Sequence, residues 1–376
     1  MKVAFLLQDT RALYGAEQAT VRLVEGLASA GVGIRVLLLH ETRLGAGNSP
    51  LAEALRQRVP VTEIAVAGRI SRSAIAQIRD FMARERADVL HSTGYKADWH
   101  AGIASSGGAR FPVVSTVHGW LFRWNLKERL FQGLNLRALR RFSRVIVLCG
   151  FYEELLRRRG FSPLQLARIP TGLRADGVVG RAEARQLWDR PGEVFLFGSL
   201  GRLSSEKNLD LLLRAAARLT RDLDASPRSW RVLIAGDGPL NDRLRRRIAR
   251  WGLTGRVALA GRMEPSDFFR QVHALVQCSR VENQPMSVME AMAWMRPTIA
   301  TRAGGLPELV RDGETGLLVR NGSARALAGA MKAFLVAPET ARAAGLRARD
   351  GLERDFPFDR MVQDHIGLYE AATVPV

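Results

Sequence analysis

The sequence predicts an α/β protein made of two doubly wound domains, each a parallel sheet covered by helices on both faces. Three observations predict it. Short apolar runs bounded by Gly, Pro and polar clusters alternate with segments of helical periodicity along the whole chain. Several runs, such as Arg35-Val-Leu-Leu-Leu and Arg231-Val-Leu-Ile-Ala-Gly, are apolar without interruption, as parallel strands buried on both faces require. A chain of 376 residues also exceeds what one core usually organises.

The opening Met-Lys-Val-Ala-Phe-Leu-Leu-Gln-Asp has only five consecutive apolar residues. A secretory core needs about 7 to 15, so the segment reads as a first buried strand at residues 2–7. Further strands are expected in the first half at 34–39, 61–66, 87–90, 112–117 and 144–148, with helices between them. In the second half they are expected at 194–199, 230–235, 256–260, 273–277, 297–300 and 316–319. Both periodicities break within 171–193, in Thr171-Gly-Leu-Arg-Ala-Asp-Gly and Asp189-Arg-Pro-Gly, which marks a domain connection. The expected domains are 1–175 and 190–355, with a last helical segment, 356–376, packing back across them. Ligands of such sheets gather where strands end at their carboxyl sides.

Composition narrows the class. With 47% hydrophobic and 25% charged residues the chain is an ordinary globular one, not a disordered, collagen-like or disulfide-scaffold sequence. No apolar run reaches the roughly 18 residues of a membrane span, and the two cysteines, Cys149 and Cys278, lie in apolar runs as buried thiols. A cytoplasmic location, peripheral on the inner face of a membrane at most, is the expectation. The net charge of +19 favours an anionic partner: nucleic acid, lipid headgroups or a phosphorylated substrate.

Four segments carry chemistry. Tyr14-Gly-Ala-Glu opens a helix after the first strand, and Gly15 would let backbone N–H groups approach a phosphate. Gly201-Arg-Leu-Ser-Ser-Glu-Lys-Asn places Arg202 and Lys207 at a helix start, where both can grip one diphosphate. Only five of the 56 cationic residues are lysines, which singles out Lys207. In Gly236-Asp-Gly-Pro the glycines permit a tight turn near a ligand, while an Asx-type turn explains Asp-Gly-Pro equally well, so the segment counts as structural support. Ser279-Arg-Val-Glu-Asn-Gln-Pro-Met-Ser-Val-Met-Glu sets Glu282 in a loop and Glu290 about one turn into a helix, two carboxylates able to accept from vicinal hydroxyls.

Taken together these segments, with Pro297 to Val310 and Gly313 to Val319, resemble the retaining glycosyltransferases of family 4. The resemblance implies a GT-B fold, two facing Rossmann-like domains with a cleft between them. It implies that Glu282 contacts the donor sugar, Glu290 the ribose, and Arg202 and Lys207 the departing diphosphate. Asn283, Gln284, Pro285, Met286 and Ser287 would line the donor subsite, and Arg262 and Met263 would hold the base. His118, in Ser-Thr-Val-His-Gly, would face the donor sugar across the cleft, and Gly15 would border the donor. Three positions depart from the family's pattern: Tyr14 and Met295 stand where glycine is usual, and Gln284 where Phe or Gly is common. At Met295 the helix is expected to end without a left-handed cap residue.

The resemblance implies metal-independent, front-face transfer from a nucleotide sugar, UDP-linked, to a glycan or lipid-linked acceptor in cell-surface or exopolysaccharide synthesis. No cofactor or essential metal is expected, since Asp222-Leu-Asp224 lies at a helix end away from any strand terminus. Rival readings are a UDP-sugar 2-epimerase-like enzyme and a non-catalytic nucleotide-sugar-binding subunit. Residues 120–144 carry seven cations and one anion among Trp120, Trp124, Phe131 and leucines. That suits either an anionic membrane surface or a packing helix with a solvated face. No nucleic-acid motif accompanies the charge.

Overall fold

The computed structural model describes residues 1–11, 13–44, 49–106, 111–119, 126–188, 194–222 and 229–374. The chain divides into two compact units, residues 1–171 with 358–376, and residues 172–357.

The first unit holds strands β1 (Lys2–Gln8), β2 (Gly33–Glu41), β3 (Val61–Val66), β4 (Val89–Thr93), β5 (Val113–Val117), β6 (Arg144–Val147) and β7 (Leu166–Arg168). They form one parallel sheet in the order β3-β2-β1-β4-β5-β6-β7. Between them run α1 (Gly15–Ser29), α2 (Pro50–Arg56), α3 (Arg72–Glu85), α4 (Tyr95–Ala104), α5 (Leu126–Leu139) and α6 (Gly150–Arg158). The two-residue period of β1 explains its unbroken hydrophobicity. Val3, Phe5 and Leu7 pack with α1 and α2, whereas Ala4 and Leu6 pack with α3 and α4 on the other face. Among the strands of the described residues, β7 alone has no counterpart in the expected set; at three residues it is too short to show a period.

The second unit holds β8 (Val194–Leu200), β9 (Ser229–Ala235), β10 (Val257–Gly261), β11 (Ala274–Gln277), β12 (Thr298–Thr301) and β13 (Gly316–Val319). Its helices are α7 (Arg181–Gln186), α8 (Leu209–Asp222), α9 (Asn241–Arg250), α10 (Pro265–Phe269), α11 (Met286–Ala293), α12 (Leu306–Leu309), α13 (Ala324–Val336) and α14 (Pro338–Asp355). The parallel order β10-β9-β8-β11-β12-β13 is that of the dinucleotide-binding fold. In both sheets the winding reverses beside the first strand, between β1 and β4 and between β8 and β11. Loops leaving those strands therefore diverge and leave room for a ligand.

Two local expectations are revised. The turn-rich segment after Thr171 is part of the second unit, not a free connection. Buried Arg349 of α14 donates to Val179 O (3.1 Å) and Ala293 O (2.6 Å) and pairs with Asp176 and Glu353. Helix α11 does end on a left-handed residue: Met295 itself takes φ +55°. Arg296 N then bonds Ala291 O (2.7 Å) and Met295 N bonds Met292 O (3.0 Å), closing the helix as a glycine would.

The last helix, α15 (Phe358–Thr373), belongs to the first unit and puts Phe358, Met361, Val362 and Tyr369 into its core. It lies close against α1 because Gly26 has no side chain; a Cβ there would come within 2.7 Å of Phe358 and Val362. Gly26→Ala is therefore expected to destabilise the first unit by about 1–3 kcal/mol through overpacking. A lowered urea midpoint checks this.

Candidate active site

The loops after β8 and β11 meet at the second unit's winding reversal. Lys207 Nζ approaches Glu282 Oε1 at 2.6 Å, joining the two loops by an ion pair. The same oxygen accepts from Gln277 Nε2 (2.8 Å) and Ser279 Oγ (2.7 Å), so three donors converge on Oε1. Oε2 takes no hydrogen bond from any described residue and is left to accept from a ligand hydroxyl. Ser279 is fixed in turn by Thr301, whose hydroxyl donates to Ser279 O (2.7 Å).

Backbone contacts hold both loops. Gly304, at φ +57°, lies so close to Glu282 that a Cβ would stand 1.8 Å from Glu282 O. The next amide, Gly305 N, donates to that oxygen (3.0 Å). Gly236 likewise sits against the start of the cationic loop, where a Cβ would be 1.9 Å from Gly201 O. Leu203 N bonds Asp237 O (2.9 Å) across the same contact. These glycines permit a close backbone approach that no other residue could make. Beneath the loops, Cys278 donates to Lys207 O and Asn208 O, and burial pushes its thiol up to about 12, so it is a structural group.

Arg202 is exposed at the mouth of this loop pair. Arg262 and half-buried Met263 follow β10, and Arg262 reaches to 3.9 Å from Asp237 in the loop after β9. Asn283, Gln284 and Met286 are buried where α11 begins after its cap residue Pro285. Ser287 points its hydroxyl at Gln277 Oε1 (3.5 Å), and Glu290 is buried one turn further. The second-half residues picked from the sequence thus stand along one edge of one sheet, Glu290 within the helix that starts there.

His118 and Gly15 belong to the first unit. There the ends of β1 and β4 border a cavity of about 150 Å³ whose lining includes Gln8, Thr10, Glu17, Asp98, His118 and Asn135. The loop at Gly15 does not present a bare helix N-terminus to a phosphate. Glu17 accepts from Tyr14 N (3.1 Å) and Thr10 Oγ1 (2.9 Å), so a carboxylate already fills that end of α1. Under the cavity, His91 bonds Tyr369 Oη (2.6 Å) and Thr116 Oγ1 (2.8 Å), and His365 Nδ1 donates to Met361 O (2.7 Å). Burial, then the charge of His365, pushes His118 down to about 4. Burial also takes His365 to about 4 and His91 well below its ordinary value. All three are neutral near pH 7.

Sequence profiles cover nearly all of this architecture. "Glycosyltransferase Family 4" matches residues 14–176 and "Glycosyl transferases group 1" matches residues 180–351. The chain belongs to glycosyltransferase family 4. Among relatives, the alpha-D-kanosaminyltransferase of Streptomyces kanamyceticus is 28% identical over 272 residues, covering 64% of this chain and 68% of that one. A D-inositol 3-phosphate glycosyltransferase of Streptomyces griseus subsp. griseus is 33% identical over 202 residues, 51% of this chain and only 42% of its own. The fold matches HepE of Anabaena, solved with UDP-glucose, at a TM-score of 0.81 and 21% identity, over 99% of this chain and 100% of that one.

For this family 4 chain the sequence picked out groups that stand at the strand ends and missed the groups that hold them in place. Gln277 reads as the end of a strand, yet it spans Glu282, Ser279 and Ser287. Asp98 reads as one polar residue in a helix, yet it accepts from Ser92 (2.6 Å), Ser115 (2.8 Å) and Asn135 (2.7 Å). Asp222 closes α8, while Leu223 and Asp224 fall outside the described residues, as do residues 120–125 and the side chains of 126–129.

The histidines set an acid limit. Unfolded, each titrates near 6.5; folded, His118 and His365 titrate near 4, so the unfolded chain takes up protons first as pH falls through that window. Asp98, raised by burial from 3.8 to about 6, acts in the opposite sense between those values but is one group against three. The first unit's melting temperature is expected to fall as pH drops from 6.5 towards 4, and the slope to shrink in His365→Gln. Scanning calorimetry across that range checks it; a flat profile contradicts it.

Proposed function

We propose that the chain transfers a hexose from a UDP-linked donor to a glycan or lipid-linked acceptor, with retained anomeric configuration and no essential metal, in making a cell-surface or exopolysaccharide. The observation that carries this reading is the Lys207–Glu282 pair at the second unit's winding reversal, with one carboxylate oxygen saturated and the other open. Glu282 Oε2 accepts from the donor sugar's hydroxyls and buried Glu290 from the ribose. Arg262 and Met263 border the base, and amides at the start of α11 meet the sugar.

In the transfer step the acceptor oxygen bonds to the anomeric carbon on the face from which the diphosphate leaves. The carbon–oxygen bond to phosphate breaks, and the acceptor's proton passes to the departing phosphate oxygen. Arg202 and Lys207 stabilise the charge that develops there. His118, neutral near pH 7, serves as a hydrogen-bonding partner for a sugar hydroxyl rather than as a cation. UDP and UDP-glucose in the HepE structures support the choice of base.

A membrane surface is proposed as a further partner. No helix among the described residues is long and apolar enough to cross a membrane. On α5, however, Leu130 and Leu134 are exposed next to exposed Arg137, with Arg141 just beyond. An apolar strip flanked by guanidinium groups suits an anionic leaflet. Neutralising Arg137 and Arg141 is expected to weaken sedimentation with anionic vesicles; unchanged sedimentation assigns α5 to packing alone.

Lys207→Ala and Glu282→Ala are each expected to lower transfer at least about 100-fold with the far-ultraviolet spectrum unchanged. Full activity in both rejects the site. Turnover in excess chelator should equal turnover without it. Conversion of the nucleotide sugar with no transfer to any acceptor would instead support an epimerase.

A further inference from the structure

The chain carries 56 cationic residues, yet among the described residues none lines the first unit's 150 Å³ cavity. Two described cations nearby are committed elsewhere. Lys96 pairs with Glu41 (2.9 Å) and donates to Gly68 O (2.9 Å), and Arg11 pairs with Asp9 (3.2 Å). The acidic groups facing the cavity are Glu17, half-buried at the end of α1, and Asp98, buried. The rest of its polar lining is hydroxyl, amide and imidazole, including Gln8, Thr10, Asn135 and His118.

That chemistry discriminates. Carboxylates, amides and hydroxyls hydrogen-bond to hydroxyl or ammonium groups. A phosphate placed there would meet two carboxylates and, among the described residues lining the cavity, no compensating cation, and the favourable end of the α1 dipole is already taken by Glu17. Glu17 can turn towards a ligand, because its own bonds are to one amide and one exposed hydroxyl. Asp98 cannot, since three donors from β4, β5 and α5 fix it as the cavity's floor.

We infer that this cavity takes a single polyhydroxylated ring bearing no phosphate, and that Glu17 is the residue that rejects a phosphorylated one. The inference deepens the acceptor part of the proposed function and rests on it. For a lipid-linked acceptor, the ring bound here is one removed from the diphosphate linker.

The test is saturation-transfer NMR on the full chain with UDP saturating, so that the diphosphate site is filled, using glucose, glucosamine and glucose 6-phosphate as probes. Glucose and glucosamine are expected to receive saturation and glucose 6-phosphate not. Glu17→Gln is expected to bring glucose 6-phosphate to within about threefold of glucose, a relaxation of at least tenfold, or about 1.4 kcal/mol. Asp98→Asn is expected to weaken glucose and glucosamine together. Equal binding of glucose and glucose 6-phosphate by the unaltered chain, or no effect of Glu17→Gln on their ratio, overturns the inference, as does a lack of signal from every probe. Binding of UDP itself, followed in the same samples by thermal shift, reports separately on the second unit. Its loss would count against the transferase reading rather than against the cavity.

Discussion

The ion pair between Lys207 and Glu282 is the contact on which the arrangement at the second unit's strand ends depends. It joins loops leaving two neighbouring strands, β8 and β11, that diverge because the chain winds in opposite directions from them. Its side chains are partly open to solvent, at 22% and 13% exposure, so its net contribution to stability is about 1 kcal/mol or less. Its value is positional. A carboxylate held by an ammonium, an amide and a hydroxyl on one oxygen offers its other oxygen at a set place and angle. An ammonium already set beside the strand ends would need little reorganisation for the proposed diphosphate. The surrounding glycines serve this pair, because Gly304 and Gly236 bring backbone against backbone where any side chain would force the loops apart.

The two units treat charge in opposite ways. The second collects cations at its strand ends, with Arg202, Lys207 and Arg262 along one edge. The first, among its described residues, lines its equivalent position with carboxylates, amides, hydroxyls and one neutral imidazole. On the proposed reading, the same topology carries two complementary chemistries: one for a charged leaving group, the other for an uncharged ring. Burial of three histidines in the first unit is the cost of that neutrality and is the source of the expected sensitivity to acid.

Much of the fold was legible because parallel strands buried on both faces leave long apolar runs, as at Val3 to Leu7 and Val232 to Ala235. Leu166-Ala-Arg was not legible, since an edge strand of three residues leaves no such run. Lys207, Glu282 and Glu290 stood out because their types and spacing suit a nucleotide sugar. Gln277 and Asp98 did not, because their roles come from partners brought together by the sheet: Ser279, Ser287 and Glu282 for one, Ser92, Ser115 and Asn135 for the other. Met295 shows a different gap. A missing glycine suggested a missing cap, but the cap's hydrogen bonds formed around a methionine whose side chain is wholly buried.

The most direct measurement is calorimetric titration of UDP and of UDP-glucose into the unaltered chain and into Glu282→Gln. If the open oxygen of Glu282 holds the sugar, UDP binds both proteins alike, whereas UDP-glucose loses at least about tenfold in affinity, or about 1.4 kcal/mol, in the variant. Equal losses for the two ligands, or none for UDP-glucose, would contradict the assignment.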